Sequence, residues 1–134
     1  ILTMCYYPRG VRKDWHDGFS SELAPDRELF QDWKQYEKSF GHDAAFELSR
    51  YEERFTLSES ALKKLGGYAE LSHEKEIYFV CQCFRGERCH REMLLLLAMV
   101  RFGAKIAPLF HSYPRFERRI SQPEPSVALV GASL

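Results

Sequence analysis

Residues 76–110 constrain the fold more than any other part of the chain. Residues 76–81 (Glu-Ile-Tyr-Phe-Val-Cys) are an almost unbroken apolar run of strand length, as in a sheet covered on both faces. After a loop over 82–89, residues 91–102 predict a strongly apolar helix ended by Gly103. Residues 105–110 (Lys-Ile-Ala-Pro-Leu-Phe) read as the next strand. Strand, loop, helix and strand make a βαβ unit, whose two strands run parallel with a right-handed crossover. Residues 1–7 add a buried strand that stops at Pro8-Arg9-Gly10. Cys5 and Cys81, each near the C-terminal end of its strand, then share the rim where open α/β sheets bind ligands.

Between these strands the period changes. A polar connection over 11–25 leads to Asp26, a helix cap, and to Leu29, Phe30, Trp33, Tyr36 and Phe40 on one helix face, closed by Gly41. Asp43 caps a second helix with Phe46, Tyr51 and Phe55 inward, and Ser58 begins a third that is broken or extended near Gly66-Gly67. His42-Asp43 reads as capping, and the aromatics at helical spacing read as core. Residues 112–134 contain Pro114, Pro123 and Pro125 and cannot form one continuous helix. Within them, residues 126–130 suit an edge strand against a second copy of the chain. The expected architecture is a single three-layer, Rossmann-like α/β domain over 1–111. It has a mostly parallel sheet and a helical excursion, with an extended tail over 112–134.

The 134 residues suit one domain, and 19 basic against 19 acidic residues exclude a protein coated in positive charge for nucleic acid. The balance is uneven along the chain, with ten acids and five bases in residues 22–59. The longest strongly apolar run, 93–100, is eight residues, against the ~20 that a membrane span needs. No apolar segment follows a basic start, so we expect no signal peptide and a cytoplasmic protein. Four cysteines are too few for a disulfide scaffold, and three of them crowd into 81–89.

The densest chemistry is Cys81-Gln-Cys83-Phe-Arg85-Gly86-Glu-Arg88-Cys89-His90-Arg91. Three arginines against one glutamate, beside a helix N-terminus with free N–H groups, make an anion site and favour thiolate over thiol. Three readings are open. Cys81 and Cys83 are small core residues whose neighbouring arginines pair with Glu87 and Glu92. Or Cys81, Cys83, Cys89 and His90 hold zinc, although strand residues two apart stand roughly 6.5–7 Å from each other and the arginines oppose a dication. Or the loop binds an anion and works through a thiol. In this last sense Cys83-x-x-Gly86-x-Arg88 is similar to the active-site loop of rhodanese sulfurtransferases, where the cysteine carries a persulfide.

A longer resemblance runs over residues 2–110. Tyr7-Pro8-Arg9-Gly10 after a first strand, Leu23-Ala24-Pro25-x-x-Glu28-Leu29 with Trp33, and a strand ending in Cys81 with Cys89-His90-Arg91 opening a helix come in that order. They resemble the family called Domain of Unknown Function 488, the YeaO-like proteins. The resemblance implies a single α/β domain with a mostly parallel sheet and supplies no reaction. By position, the family's motif residues here are Arg9, Cys81, Cys89, His90 and Arg91, while Cys83 lies outside its pattern.

The expected site thus has Cys81, Cys89 and His90 in chemical roles and Arg9, Arg85, Arg88 and Arg91 as ligand-binding groups. His90 would exchange a proton with a neighbouring thiol. The ligand would carry phosphate, as a small molecule or a nucleic acid end. No cofactor is expected on this reading. The alternative is a zinc-binding or protein-interaction module without catalysis, assembling as a homodimer through 112–134. His16, Asp17 and Trp15 are within reach of the rim, and Arg115, Arg118 and Arg119 form a second basic patch.

Overall fold

A computed structural model describes residues 1–83 and 86–122. Two short 3-10 turns, Lys13–Trp15 and Ser21–Leu23, precede six α-helices. These are α1 (Arg27–Phe40), α2 (His42–Leu48), α3 (Tyr51–Arg54), α4 (Glu59–Leu71), α5 (His90–Phe102) and α6 (Pro114–Ser121).

Local chemistry sets the helix ends. The Asp26 carboxylate accepts the Leu29 N–H at 2.8 Å, satisfying one of the free donors of α1. Ser58 does the same for Ala61 at 3.1 Å, starting α4. Gly41 at φ 89° both ends α1 and begins α2. Gly103 at φ 70° closes α5 with a left-handed turn. α4 continues through Gly66-Gly67 because Phe102 of α5 lies directly over Gly66. A Cβ there would come within 2.8 Å of the Phe102 ring.

α5 is the central helix. Met93, Leu94, Leu96, Leu97 and Ala98 are buried between Ala61, Leu65 and Ala69 of α4 and Phe116 and Ile120 of α6. Phe46, Tyr51 and Phe55 extend this core toward α2 and α3, with Phe46 and Tyr51 stacked at 4.2 Å between centroids.

The structure corrects the expected α/β class. Among the described residues, β pairing is limited to two isolated parallel bridges, Leu2 with Phe19 and Leu2 with Val80. Over the described residues the fold is helical, with no parallel sheet and no Rossmann-like layering. The reason lies in coverage and donors. Tyr78 (68% exposed) and Val80 (41%) face solvent while Phe79 is buried, so residues 76–81 are covered on one face only. In the third predicted strand, Ala107 and Pro108 are exposed, proline has no N–H to give, and the Phe110 N–H goes to the Glu92 carboxylate at 2.6 Å. No βαβ crossover forms.

The start of the expected extended tail is also different, since residues 114–121 are α6. Pro114 opens it, as suits a first-turn position, and Phe116 and Ile120 join the core. Arg115 pairs with Glu47 (2.8 Å) and Glu53 (3.3 Å), so part of the predicted basic patch ties α6 to α2 and α3. The expected edge strand at 126–130 lies outside the described residues.

Candidate functional site

The Leu2–Val80 bridge explains how distant cysteines become neighbours. The Thr3 N–H donates to the Val80 carbonyl and the Val80 N–H to the Ile1 carbonyl, each at 2.9 Å. The two segments therefore run side by side into Met4-Cys5 and Cys81-Gln82, which line one cavity. The chain then bends at Gln82-Cys83 and turns at Gly86 (φ 89°), reaching Cys89 at the N-cap of α5. Because of that bend, the strand spacing between residues 81 and 83 does not apply. The sulfurs of Cys81, Cys83 and Cys89 all lie within 4.8 Å of one another, and those of Cys81 and Cys89 are 2.9 Å apart. All four cysteines are free thiols.

Three side chains from elsewhere hold the returning loop by its backbone. His42 Nε2 donates to the Arg88 carbonyl at 2.5 Å, and His111 Nε2 to that of Gly86 at 2.6 Å. The Tyr113 hydroxyl accepts the Cys89 N–H at 3.1 Å and donates to buried Glu92 at 2.7 Å. The other Glu92 oxygen takes the Phe110 N–H, so both carboxylate oxygens are engaged. Arg88 lies over the Tyr113 ring, 5.6 Å from its centroid, and donates to the Ser112 carbonyl at 2.9 Å.

His90 lies beneath the sulfurs. Its Nε2 donates to the Thr3 carbonyl at 2.9 Å, which leaves Nδ1 as an acceptor 3.7 Å from the Cys89 sulfur. Burial lowers its pKa, so the ring is neutral. The thiols share their charge unequally. Hydrogen bonds from Cys83 and then Cys89 outweigh burial and hold the Cys81 thiol far below its ordinary value. The contact with Cys81 is the main cause that pushes Cys83 and Cys89 up, and burial adds to it at both. The cluster thus favours one thiolate, at Cys81, flanked by two thiol donors. Cys5, whose S–H points to the Pro25 carbonyl at 3.2 Å, is raised by burial.

Above the sulfurs opens a cavity of about 480 Å³. Phe30, Trp33, Phe46 and Tyr51 supply an aromatic wall, and the charged groups are Lys34 and Arg88 against Glu37 and Glu87. The Trp33 indole N–H is buried with no partner. Of the predicted ligand-binding arginines among the described residues, Arg88 alone lines this space. Arg9 is exposed elsewhere, Arg91 is half-buried outside the lining, and Arg85 lies outside the described residues. Trp15, His16 and Asp17 do not line it either, and His16 instead meets the Tyr7 hydroxyl at 2.7 Å.

Two groups among the described residues have the spacing to hold a metal ion. One is Cys81, Cys83 and Cys89, and the other is His42, Cys83 and Glu87. His90 belongs to neither, and its Nε2 is bonded to the Thr3 carbonyl. His42 is the residue that sequence reasoning missed. It reads locally as a helix cap, yet its Nδ1 faces Glu87 at 3.4 Å and its Nε2 reaches a carbonyl 46 residues away. The aromatic wall was legible only as helical periodicity, because one stripe serves the core and the cavity alike.

A family model described as the active DUF488-N3 subclade matches residues 1–99, which include Cys5, the three clustered cysteines and His90. The chain belongs to the DUF488 family. No curated protein and no solved structure matches it. In this DUF488 chain the positions 81, 89, 90 and 91 of the Cys-x7-Cys-His-Arg element divide into two sulfurs and an imidazole in one cluster, with the arginine outside the cavity lining. α6 and Tyr113 lie beyond the matched segment. No helix among the described residues is long and apolar enough to cross a membrane.

Proposed function

We propose that this DUF488 chain binds a small anionic, phosphate-bearing ligand in the 480 Å³ cavity and acts on it through the Cys81 thiolate. The observation that carries the reading is the convergence of three sulfurs at one end of an aromatic-walled cavity. That volume is in the usual range for small-molecule sites. Lys34, Arg88 and the N-terminal turn of α5 are the groups that would meet the anion, and Glu37 and Glu87 confine it to that side of the cavity. The aromatic wall suits a planar ring.

The chemistry would run through the sulfur cluster. Cys81 Sγ gives its electron pair to an electrophilic carbon of the ligand, and the leaving group departs with its bonding pair. Cys89 then passes its proton to that group, becoming the thiolate in turn, so charge and protons balance. His90 is a positioning residue whose Nδ1 stands 3.7 Å from the Cys89 sulfur. Reduced thiols of this kind suit the cytoplasm, where we place the protein.

Limited alkylation of the reduced protein with iodoacetamide, read by peptide mass spectrometry, tests this. Cys81 should be modified first and well below the pH at which Cys5 reacts. Equal, slow reaction of all four thiols would overturn it.

The three-sulfur spacing also favours a second reading, a metal ion held by Cys81, Cys83 and Cys89 with a fourth position open to the cavity. Elemental analysis of the purified protein separates the two. One zinc per chain, with Cys81 protected from alkylation until the metal is chelated, would replace the nucleophile reading.

A further inference from the structure

We propose that Cys81 and Cys89 interconvert between dithiol and disulfide by exchange with small oxidised thiols, Cys81 attacking and Cys89 resolving. The Cys81 nucleophile is thereby switched off by oxidation. This rests on the reading of Cys81 as the reactive thiol and adds its regulation.

The geometry assigns the two roles. The Cys81 and Cys89 sulfurs are 2.9 Å apart, so a small displacement brings them to the ~2.05 Å of a covalent bond. Cys81 is partly buried but lines the cavity, whereas Cys89 is 2% exposed and out of reach of an external disulfide. Cys89 is also fixed against drift, its N–H held by Tyr113 and its sulfur beside His90 Nδ1. A buried thiol fixed beside a reachable one is the arrangement that a resolving cysteine requires. Cys83 shares the cluster and has the same partial burial as Cys81, so it is the competing partner that the test separates from Cys89.

The exchange balances in two steps. The Cys81 thiolate attacks one sulfur of oxidised glutathione, forming a mixed disulfide and releasing one glutathione thiolate. Cys89 passes its proton to His90 Nδ1, and its sulfur then attacks Cys81 Sγ, expelling the second glutathione thiolate. That thiolate takes up the proton. Two electrons pass from the two protein thiols to the glutathione disulfide, and nothing else is consumed.

The test treats the reduced wild-type chain with oxidised glutathione, quenches in acid with N-ethylmaleimide, and maps peptides without reduction. Trypsin cuts after Arg85 and Arg88, so Cys89 is separated from the peptide 76–85 that carries both Cys81 and Cys83, and a link appears as a joined peptide pair. Fragmentation that finds N-ethylmaleimide on Cys83 assigns the link to Cys81. The expected result is a Cys81–Cys89 pair that persists in Cys83→Ser. Cys89→Ser should instead accumulate glutathione on Cys81. Iodoacetamide labelling of Cys81 should be lost on oxidation and return with dithiothreitol. A dominant link through Cys83, lost in Cys83→Ser, would overturn the assignment, and the wild-type map gives that answer even if Cys89→Ser does not fold. Fast labelling of Cys81 with no cross-link overturns the exchange and leaves the proposed function standing. No labelling and no cross-link overturns both.

Discussion

The two ends of α5 are built on opposite principles. At the C-terminal end, Phe102 lies on Gly66 of α4, and Arg101 donates to the Ile120 carbonyl at 3.2 Å. At the N-terminal end, Cys89, His90 and Glu92 are all buried, and each is tied to a named partner from another part of the chain. Apolar packing tolerates small adjustments because no contact is indispensable. A buried polar network does not, since each lost partner strands the group it served. The rigid end is the one that carries the sulfurs.

The largest test of this contrast is Glu92→Ala. It leaves the Tyr113 hydroxyl and the Phe110 N–H without their acceptor in a buried place. Urea denaturation should show a loss of about 3 kcal/mol, with Glu92→Gln losing roughly half of that because one acceptor oxygen remains. A loss no greater than that of an exposed glutamate would break the comparison.

His90 gives a smaller, pH-dependent effect. Burial depresses its folded pKa below the unfolded 6.5. The neutral ring therefore contributes stability that is present above that value and lost as pH falls through the folded pKa. Thermal melts from pH 8 downward should show the wild type losing stability below about 6.5, with a flatter profile for His90→Gln, which keeps a donor for the Thr3 carbonyl. Parallel profiles would show that His90 is not buried as a neutral ring.

At the other end, Gly66→Ala should change stability least. The new Cβ meets Phe102 at 2.8 Å, an overpacking cost, but Phe102 is 40% exposed and can swing outward. Replacing glycine inside α4 returns about 1 kcal/mol of helix propensity. Denaturation midpoints should differ by no more than about 1 kcal/mol. A collapse of the fold would mean that this end is as unforgiving as the other.

The ends of α1, α4 and α5 were legible in the sequence because capping is local. Asp26, Ser58, Gly41 and Gly103 act within a few residues, and each sits where its chemistry placed it. Asp43, read as the cap of the second helix, instead lies inside α2, and that helix breaks at Arg50 (φ 56°) before α3. The sheet was misread for a physical reason. Residues 76–81 look uniformly apolar, but whether both faces are covered depends on elements far away, and here Tyr78 and Val80 stay exposed. Cys81, Cys89 and His90 stood out as a cluster, and they meet. Their neighbours Tyr113, Glu92, His42 and His111 could not be found, since their contacts with the loop or with one another span up to 46 residues and leave no trace in spacing. Arg9 and Arg91 carried the right charge, but charge in a motif does not say which way the backbone turns.

Glu52, buried on α3, accepts the backbone N–H groups of Arg115 and Phe116 at 3.0 and 3.2 Å, across 63 and 64 residues. Those are donors of the first turn of α6, which has no capping side chain of its own. α6 therefore cannot satisfy its own start until α3 has docked. That contact closes a long loop, which costs chain entropy. Tyr113, which steadies Cys89, immediately precedes α6. The docking of α6 against α3 therefore bears on the sulfur cluster as well, through the residue that holds the Cys89 N–H.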